Sequence, residues 1–127
     1  MQMELLGLWE DGITVVTVSE FGRTIGTNGR GTDHAWAGNH LIYGGALNGG
    51  KIWGKYPSKI GPGTERRATK RPSDGKMVPT LPWEAMWEPI AEWMGVEDAR
   101  DMEVVLPNAA NFDTATGARL KKADVYQ

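Results

Sequence analysis

The spacing of hydrophobic residues differs from one segment of the chain to the next, and each spacing predicts a particular secondary-structure element. Residues 13–18 read ITVVTV, which is rich in β-branched side chains and apolar on both faces, as in a strand buried between two layers of helices. We therefore predict a central parallel strand here, preceded by the end of a helix that stops at Gly12. The polar residues SEFGRT follow the strand, and ligands bind at the carboxyl ends of strands in open α/β sheets.

A helical spacing of apolar residues marks residues 80–95, TLPWEAMWEPIAEWMG. This pattern predicts an amphipathic helix whose apolar face packs into the core. Thr80 is predicted to cap its start, Gly95 to close its end and Pro89 to kink it. A sugar-stacking role for the tryptophans is disfavoured, because aromatic side chains at helical spacing usually form core. The predicted core face consists of Trp83, Met86, Trp87, Ile90, Ala91 and Met94.

The remaining segments are richer in glycine, proline and charge. Residues 25–39 predict a glycine-rich loop, and residues 40–56 predict two short strands joined by a tight connection. Residues 57–80 predict a long surface loop or flap. A further short helix is predicted to end before Pro107. This organisation indicates one α/β unit over residues 1–112 and an irregular tail over residues 113–127.

The composition is that of a globular protein, and it excludes several classes of function. The chain has 127 residues, of which 40% are hydrophobic and 24% charged, a length that fits one domain. Its formal net charge of -2 disfavours nucleic acid as a partner, and the basic run ERRATKR is interpreted as part of an exposed loop. The absence of cysteine excludes disulfides, thiolate metal sites and cysteine nucleophiles. The sequence has no apolar run of membrane-spanning length and no signal peptide, and it leaves the cellular location open.

Both histidines of the chain, His34 and His40, lie in the segment GTDHAWAGNH, with Asp33 beside the first. Imidazole and carboxylate groups in such a cluster are typical of sites that bind a metal ion or transfer a proton. A structural interpretation stays open beside this one. In that interpretation Asp33 orients His34 or caps the loop, and His40 is a core residue at the start of a strand.

Four segments in a fixed order carry a resemblance to a known family. They are VVTVSEFGRT, NGRGTDHAWAGNHLIYGGALNGGKIWGKYP, an amphipathic helix ending in AEWMGV, and VLPNAANF. Over residues 1–112 the chain resembles the carboxy-terminal third of the domain-of-unknown-function family numbered 1501. Members of that family are similar to the alkaline-phosphatase and sulfatase superfamily, and many of them are exported proteins of several hundred residues.

This resemblance implies both a fold and a site. The fold would be part of an alkaline-phosphatase-like α/β sandwich, with a central buried strand, a glycine-rich loop and hairpin, and an amphipathic C-terminal helix. The site would bind a divalent metal ion, namely zinc, manganese, magnesium or calcium, next to an anionic small-molecule ester. The implied metal ligands are Glu20, Asp33, His34 and His40, and Arg23 is the implied anion-binding residue.

The resemblance also places the nucleophilic serine or threonine of the superfamily, and its first metal-binding aspartate, upstream of the residues present here. Ser19 has no evident neighbouring base that could replace them. We therefore expect a fragment or shortened relative of a metal-dependent phosphate or sulfate ester hydrolase that is inactive alone, which leaves its status as an enzyme open. The alternative is a non-catalytic binding or structural protein that docks to a partner or self-associates through exposed sheet edges.

Overall fold

The computed structural model describes residues 2–56, 76–112 and 118–127. Residue contacts divide the chain into two compact units. We call them the helical unit, with residues 1–15, 42–53 and 81–127, and the hairpin unit, with residues 16–41 and 54–80. The elements in chain order are α1 (Gln2–Leu5), α2 (Trp9–Gly12), β1 (Thr14–Val16), β2 (Gly22–Thr27), β3 (Thr32–Ala35), β4 (Ile42–Gly44), α3 (Glu84–Trp93), α4 (Ala99–Val105), a 3-10 turn (Ala109–Asn111) and α5 (Lys122–Val125). The chain is a mixed α/β protein with small antiparallel sheets, which confirms the α/β part of the predicted fold class, whereas the alkaline-phosphatase-like sandwich stays a prediction.

Helix α3 is the longest helix among the described residues, and its position in the sequence was predicted. Its buried residues are Ala85, Glu88, Pro89, Ile90 and Ala91. The predicted core face is therefore confirmed at Ile90 and Ala91. It is wrong at Trp83 and Met94, which are 47% and 73% exposed. The buried face includes Glu88. Two basic side chains, described below, bind its carboxylate and offset the free-energy cost of burying its charge.

The ends of α3 match the sequence expectations only in part. Gly95 closes the helix with a φ of +96°, a conformation that glycine adopts without strain. Thr80 does not cap the start, because its hydroxyl accepts a hydrogen bond from the backbone N–H of Lys55. The helix continues through Pro89, and the kink expected there stays a prediction.

The carboxyl-terminal segment is ordered, and the prediction of an irregular tail is wrong over residues 118–127. Val125 is fully buried, Tyr126 is 3% exposed, and both belong to the core cluster with Leu47. Tyr126 also forms an isolated β-bridge with Leu47, and its ring stacks on Trp93 at a centroid distance of 5.5 Å. Residues 113–117 of the predicted tail lie outside the described part of the chain.

Strand β1 confirms the predicted strand but not its surroundings. It is shorter than predicted, and it pairs with β4 in a two-stranded sheet. Val15 and Val18 are 49% and 60% exposed, so the prediction of a central strand covered on both faces is wrong for the described residues. Apolar side chains on both faces of a strand indicate burial only when layers of helices cover both faces.

Strands β2 and β3 form an antiparallel hairpin in the region where the sequence predicted a loop. The hairpin turns tightly at residues 28–31, where the backbone N–H of Asn28 donates to the carbonyl of Gly31. At its open end, the carbonyl oxygen of Ala37 lies 1.8 Å from the position that a Cβ on Gly22 would occupy. Glycine is therefore required at position 22 by a close backbone approach, not by loop flexibility.

Other predicted elements have mixed outcomes. Helix α4 was predicted, and the Asp98 carboxylate caps it by accepting from the backbone N–H of Arg100. The amino-terminal helix is divided into α1 and α2 by Gly7, whose φ is +66°. The second strand predicted within residues 40–56 is wrong, because β4 is the one strand there. Most of the predicted flap, residues 57–75, lies outside the described residues. Within the part that the structure covers, no helix has the length and apolar character to cross a bilayer.

Candidate functional site

One face of the hairpin brings together a cation, an imidazole and an aromatic ring. Arg23 on β2 and His34 on β3 are directly opposite each other in the strand register. The ring of Phe21 stacks on the His34 imidazole, with 3.7 Å between centroids and an angle of 13° between planes. The Arg23 guanidinium carbon lies 5.1 Å from the centroid of the same Phe21 ring. We call these three residues the Arg23 cluster.

The Arg23 cluster is accessible and partly preorganised. Arg23 and His34 are exposed, and Phe21 is 36% exposed. One N–H group of Arg23 donates to the carbonyl of Thr32 at 2.6 Å. This bond and the Phe21 contact restrain the guanidinium, whose planar fork of N–H donors matches an oxyanion. A cation held this way loses little side-chain entropy when an anion binds.

Asp33 lies beside His34 in sequence but is engaged in the turn of the hairpin. Adjacent residues of a strand point to opposite faces of the sheet, so the Asp33 carboxylate and the His34 imidazole diverge. The carboxylate accepts from the side-chain amide of Asn28 at 2.7 Å, and the backbone N–H of Asp33 donates to the hydroxyl of buried Thr24 at 3.0 Å. These bonds support the structural interpretation of Asp33.

His40 is tied to the end of β1 instead of to the hairpin. Its Nδ1 lies 2.9 Å from the carbonyl oxygen of Thr17, which can only accept, so Nδ1 carries the proton in this contact. Leu41 and Thr17 exchange two further hydrogen bonds, which fix the backbone at this point.

The four implied metal ligands do not form one complete metal centre. Among residues 2–56, 76–112 and 118–127, no group of three or more histidine, aspartate or glutamate side chains is placed to hold an ion. Glu20 is exposed, and the Ser19 hydroxyl donates to the carbonyl of Phe21 at 2.8 Å. Metal binding by a subset of the four ligands stays a prediction.

A second polar cluster, which the sequence did not reveal, lies in the helical unit. Glu88 is fully buried, and its two carboxylate oxygens accept from the guanidinium of Arg119 and the amine of Lys121. Lys121 also donates to Glu92 at 3.1 Å, and the backbone N–H of Lys122 donates to Glu92 at 2.6 Å. We call Glu88, Glu92, Arg119 and Lys121 the Glu88 cluster. It fastens the segment that contains α5 to α3.

The electrostatics of the Glu88 cluster favour its charged form. Burial alone raises the pKa of Glu88, but the hydrogen bonds and positive charges of Arg119 and Lys121 outweigh burial and hold this pKa below its usual range. Burial lowers the pKa of Lys121, and its bonds to Glu88 and Glu92 more than offset this, so that pKa is raised. A cavity of about 390 Å³ lies beside the cluster, between α3 and α4.

The sequence contained a weak signal for the Glu88 cluster. Glu88 and Glu92 are four residues apart on a helix and therefore lie on one side of it, and two basic residues occur close together at positions 119 and 121. The expectation that charged residues lie in solvent concealed this signal, because Glu88 becomes compatible with the core only when its distant partners are known.

Comparison with known proteins gave one match. Residues 1–71 match the sequence profile of a family described as protein of unknown function (DUF1501). The matched residues include all of the Arg23 cluster and both histidines, and they exclude the whole Glu88 cluster. No curated protein and no solved structure gives a significant match.

Proposed function

Because this chain belongs to the DUF1501 family of proteins of unknown function, we propose that its function resides in the Arg23 cluster, which binds the anionic group of a phosphate or sulfate ester without hydrolysing it. The observation that carries the proposal is the contact of one ring, Phe21, with both Arg23 and His34. That contact holds two exposed polar side chains side by side on one face of the hairpin.

The chemistry of these side chains matches such an anion. A guanidinium donates two parallel hydrogen bonds to two oxygens of a sulfate or phosphate group, and an imidazole N–H donates to a third. The similarity of the family to the alkaline-phosphatase and sulfatase superfamily supports an ester as the source of the anion. An alkaline-phosphatase-like sandwich remains part of this proposal and not of the observed fold.

Binding without turnover follows from the groups around the cluster. Ester hydrolysis needs a nucleophile activated by a base or a metal ion. The hydroxyl of Ser19 is engaged with the backbone of Phe21, and the described residues do not gather a metal centre. We therefore expect no release of nitrophenol from nitrophenyl phosphate or nitrophenyl sulfate. Metal-dependent release that disappears in His34→Ala would overturn this part of the proposal.

The binding itself is tested by titrating the isotope-labelled chain with sodium sulfate and following backbone amide shifts by NMR. Arg23→Gln is expected to weaken sulfate binding about tenfold, since a hydrogen bond to a charged group contributes roughly 1.5–3 kcal/mol. The matched control is Arg30→Gln, because Arg30 is an exposed arginine in the turn of the same hairpin. Both variants remove one positive charge. Equal weakening in the two variants would show a nonspecific charge effect and contradict the proposal.

A divalent metal ion is a separate expectation, and it has its own test. Titration calorimetry with zinc or manganese compares the wild type with His34→Ala and Trp36→Ala. If His34 is a ligand, its replacement weakens metal binding more than the loss of Trp36, because an imidazole contributes a direct bond to the ion. Equal effects would indicate that His34 only packs against Phe21.

A second candidate function, self-association, is favoured by one specific observation in the helical unit. The sheet of β1 and β4 has two strands, so each strand has one edge without a partner strand among the described residues. Val15 and Tyr43 in these strands are also 49% and 48% exposed. Unpaired edges recruit strands of other chains, and lysine on an edge blocks this. Sedimentation velocity at several protein concentrations tests the idea, and Val15→Lys is expected to abolish any concentration-dependent dimer.

A further inference from the structure

Trp36 is the most exposed of the six tryptophans. Its exposed fraction is 80%, whereas Trp83 and Trp9 are 47% and 37% exposed and the other three are less exposed than these. It directly follows β3, two residues after His34. A large ring in solvent contributes nothing to the core, and tryptophan is the side chain that most often serves as a binding anchor.

The backbone around Trp36 is fixed although its ring is not covered. Ala35 before it is buried, with 6% of its surface exposed, and it is paired with Gly22 across the hairpin. The carbonyl of Ala37 after it lies against Gly22. The backbone on both sides of Trp36 is therefore fixed at the open end of the hairpin, where Phe21 precedes β2.

The strand register relates Trp36 to the Arg23 cluster. Trp36 follows β3 two residues after His34, and Phe21 precedes β2 two residues before Arg23. Gly22 pairs with Ala35 at the open end of the hairpin, and Phe21 and Trp36 are the residues that adjoin this pair in the chain. The hairpin thus carries aromatic surface next to its anion-binding donors.

We propose that Trp36 selects the ligand of the Arg23 cluster, by stacking on a ring in the alcohol part of the ester. The inference rests on the proposed function, because it assumes that Arg23 and His34 hold the ester anion. The ligand class is then a monoester that joins a sulfate or phosphate group to an aromatic or pyranose ring. Both kinds of ring present a flat face to an indole, and both are distinguished from alkyl esters, which have no such face.

A single-stranded nucleic acid is an alternative ligand for these side chains, because it also combines rings with anions. Proteins that bind such strands line a basic groove along several phosphates. This chain has a formal net charge of -2 and presents one arginine in the cluster. The charge therefore favours a ligand with a single ester anion.

Three probes with the same anion separate the contributions of the anion and the ring. They are methyl phosphate, glucose 6-phosphate and phenyl phosphate, titrated against the whole chain by NMR. The wild type is expected to bind at least one of the ring-bearing probes about tenfold tighter than methyl phosphate, the size of one favourable stacking contact. Which of the two is preferred distinguishes a pyranose ligand from an aromatic one.

Two variants at position 36 test whether the preference comes from the ring of Trp36. Trp36→Leu keeps an apolar side chain without a ring, and it is expected to abolish the preference while leaving methyl phosphate binding within twofold. Trp36→Phe is expected to keep most of the preference. Because Trp36 is 80% exposed, neither variant removes core packing, and near-ultraviolet circular dichroism checks that both remain folded.

The outcomes separate this inference from the proposed function. Equal binding of all three probes by the wild type, with weakening of all three in Arg23→Gln, would overturn the role of Trp36 and keep the anion site. Absence of binding to any probe would overturn the anion site itself. Tighter binding of an oligothymidylate than of phenyl phosphate would replace the monoester with a nucleic acid and also overturn the inference.

Discussion

The Glu88 cluster and the Arg23 cluster are built from similar parts and differ in burial. Each contains a basic side chain held by hydrogen bonds: Arg119 and Lys121 bind the Glu88 carboxylate in the helical unit, and Arg23 donates to the Thr32 carbonyl in the hairpin unit. In the Glu88 cluster the carboxylate is fully buried, and both of its oxygens are bound by basic groups. In the Arg23 cluster the cation is exposed, and no carboxylate is paired with it among the described residues.

This difference explains why we assign a structural role to the Glu88 cluster and propose a binding role for the Arg23 cluster. A buried charge is tolerated only when its hydrogen bonds are complete, so the Glu88 carboxylate cannot accept from a ligand without a loss of stability. An exposed, partly restrained arginine contributes little to stability, and its donors remain available. The four predictions that follow test this contrast, starting with the largest expected effect.

Removal of the buried carboxylate is expected to have the largest effect. Glu88→Ala leaves Arg119 and Lys121 without their partner beside the core, and breaking a buried ion pair in this way costs about 3–5 kcal/mol. We expect the lower end of that range, since Lys121 is 46% exposed and can turn to solvent. The measurement is urea unfolding followed by tryptophan fluorescence.

The matched control for this prediction is Glu103→Gln. Glu103 is an exposed glutamate of α4, and its replacement should change the free energy of unfolding by less than about 0.5 kcal/mol. If both variants are destabilised equally, burial of the Glu88 carboxylate is not the source of its contribution. Sulfate binding at the Arg23 cluster provides a second check, because only unfolding should alter it.

Lowering the pH should reduce the contribution of the Glu88 cluster to the free energy of unfolding. The pKa of Glu88 is lower in the folded chain than in the unfolded chain, where the pKa of a glutamate is about 4.3. Its stabilisation is therefore complete above that pH and is lost as the pH falls through the folded-state pKa. Arg119, Lys121 and Glu92 are the charged groups that face it. Unfolding free energies measured between pH 6 and pH 3 should fall more steeply for the wild type than for Glu88→Gln.

The close backbone approach in the hairpin gives the next prediction. Gly22→Ala introduces a Cβ at 1.8 Å from the carbonyl oxygen of Ala37, so the backbone must move. Overpacking of this kind costs about 1–3 kcal/mol, and it should weaken sulfate binding because it displaces the strand that carries Arg23. Gly49→Ala is the control, since no atom lies within 4 Å of the Cβ it would add. Unchanged sulfate binding in Gly22→Ala would mean that the close approach of Ala37 to Gly22 does not position Arg23.

The smallest effect is expected from one hydroxyl in the helical unit. Tyr126→Phe removes the hydrogen bond from the Tyr126 hydroxyl to Thr14 Oγ1, which is 3.2 Å long, and keeps the ring stacked on Trp93. A single neutral hydrogen bond contributes about 0.5–1.5 kcal/mol. Tyr43→Phe, at a 48% exposed position, should have no measurable effect. Thermal unfolding by calorimetry is sensitive enough to compare the two variants.

Local patterns predicted several elements and missed others for identifiable reasons. Helices α3 and α4 were located because the apolar spacing of α3, its closing glycine and the proline that follows α4 are local signals. The hairpin was taken for a loop because five of residues 22–31 are glycine or asparagine, which score against strands wherever they occur. The sequence does not distinguish a glycine that is required by the close approach of a distant carbonyl from a glycine in a flexible loop.

In the candidate site, too, the sequence predicted some residues correctly and missed others. Arg23 and His34 were both singled out from the sequence, and the structure places them opposite each other. Asp33 was grouped with them because it is adjacent in the chain, whereas strand alternation turns its carboxylate into the turn and toward Asn28. The partner that the sequence did not indicate is Phe21, whose role depends on a stacking contact across the hairpin.

The sequence by itself determined the family, the mixed α/β class, the positions of the two main helices and the residues with chemistry to offer. Only the tertiary structure decided which of those residues are buried, which share a face and which are already bound. The physical reason is the separation in sequence between the residues that interact. Helix spacing and capping act over a few residues, but the burial of Glu88 depends on Arg119 and Lys121, 31 and 33 positions away. The burial of Tyr126 likewise depends on Leu47, and no local pattern contains a contact of that separation.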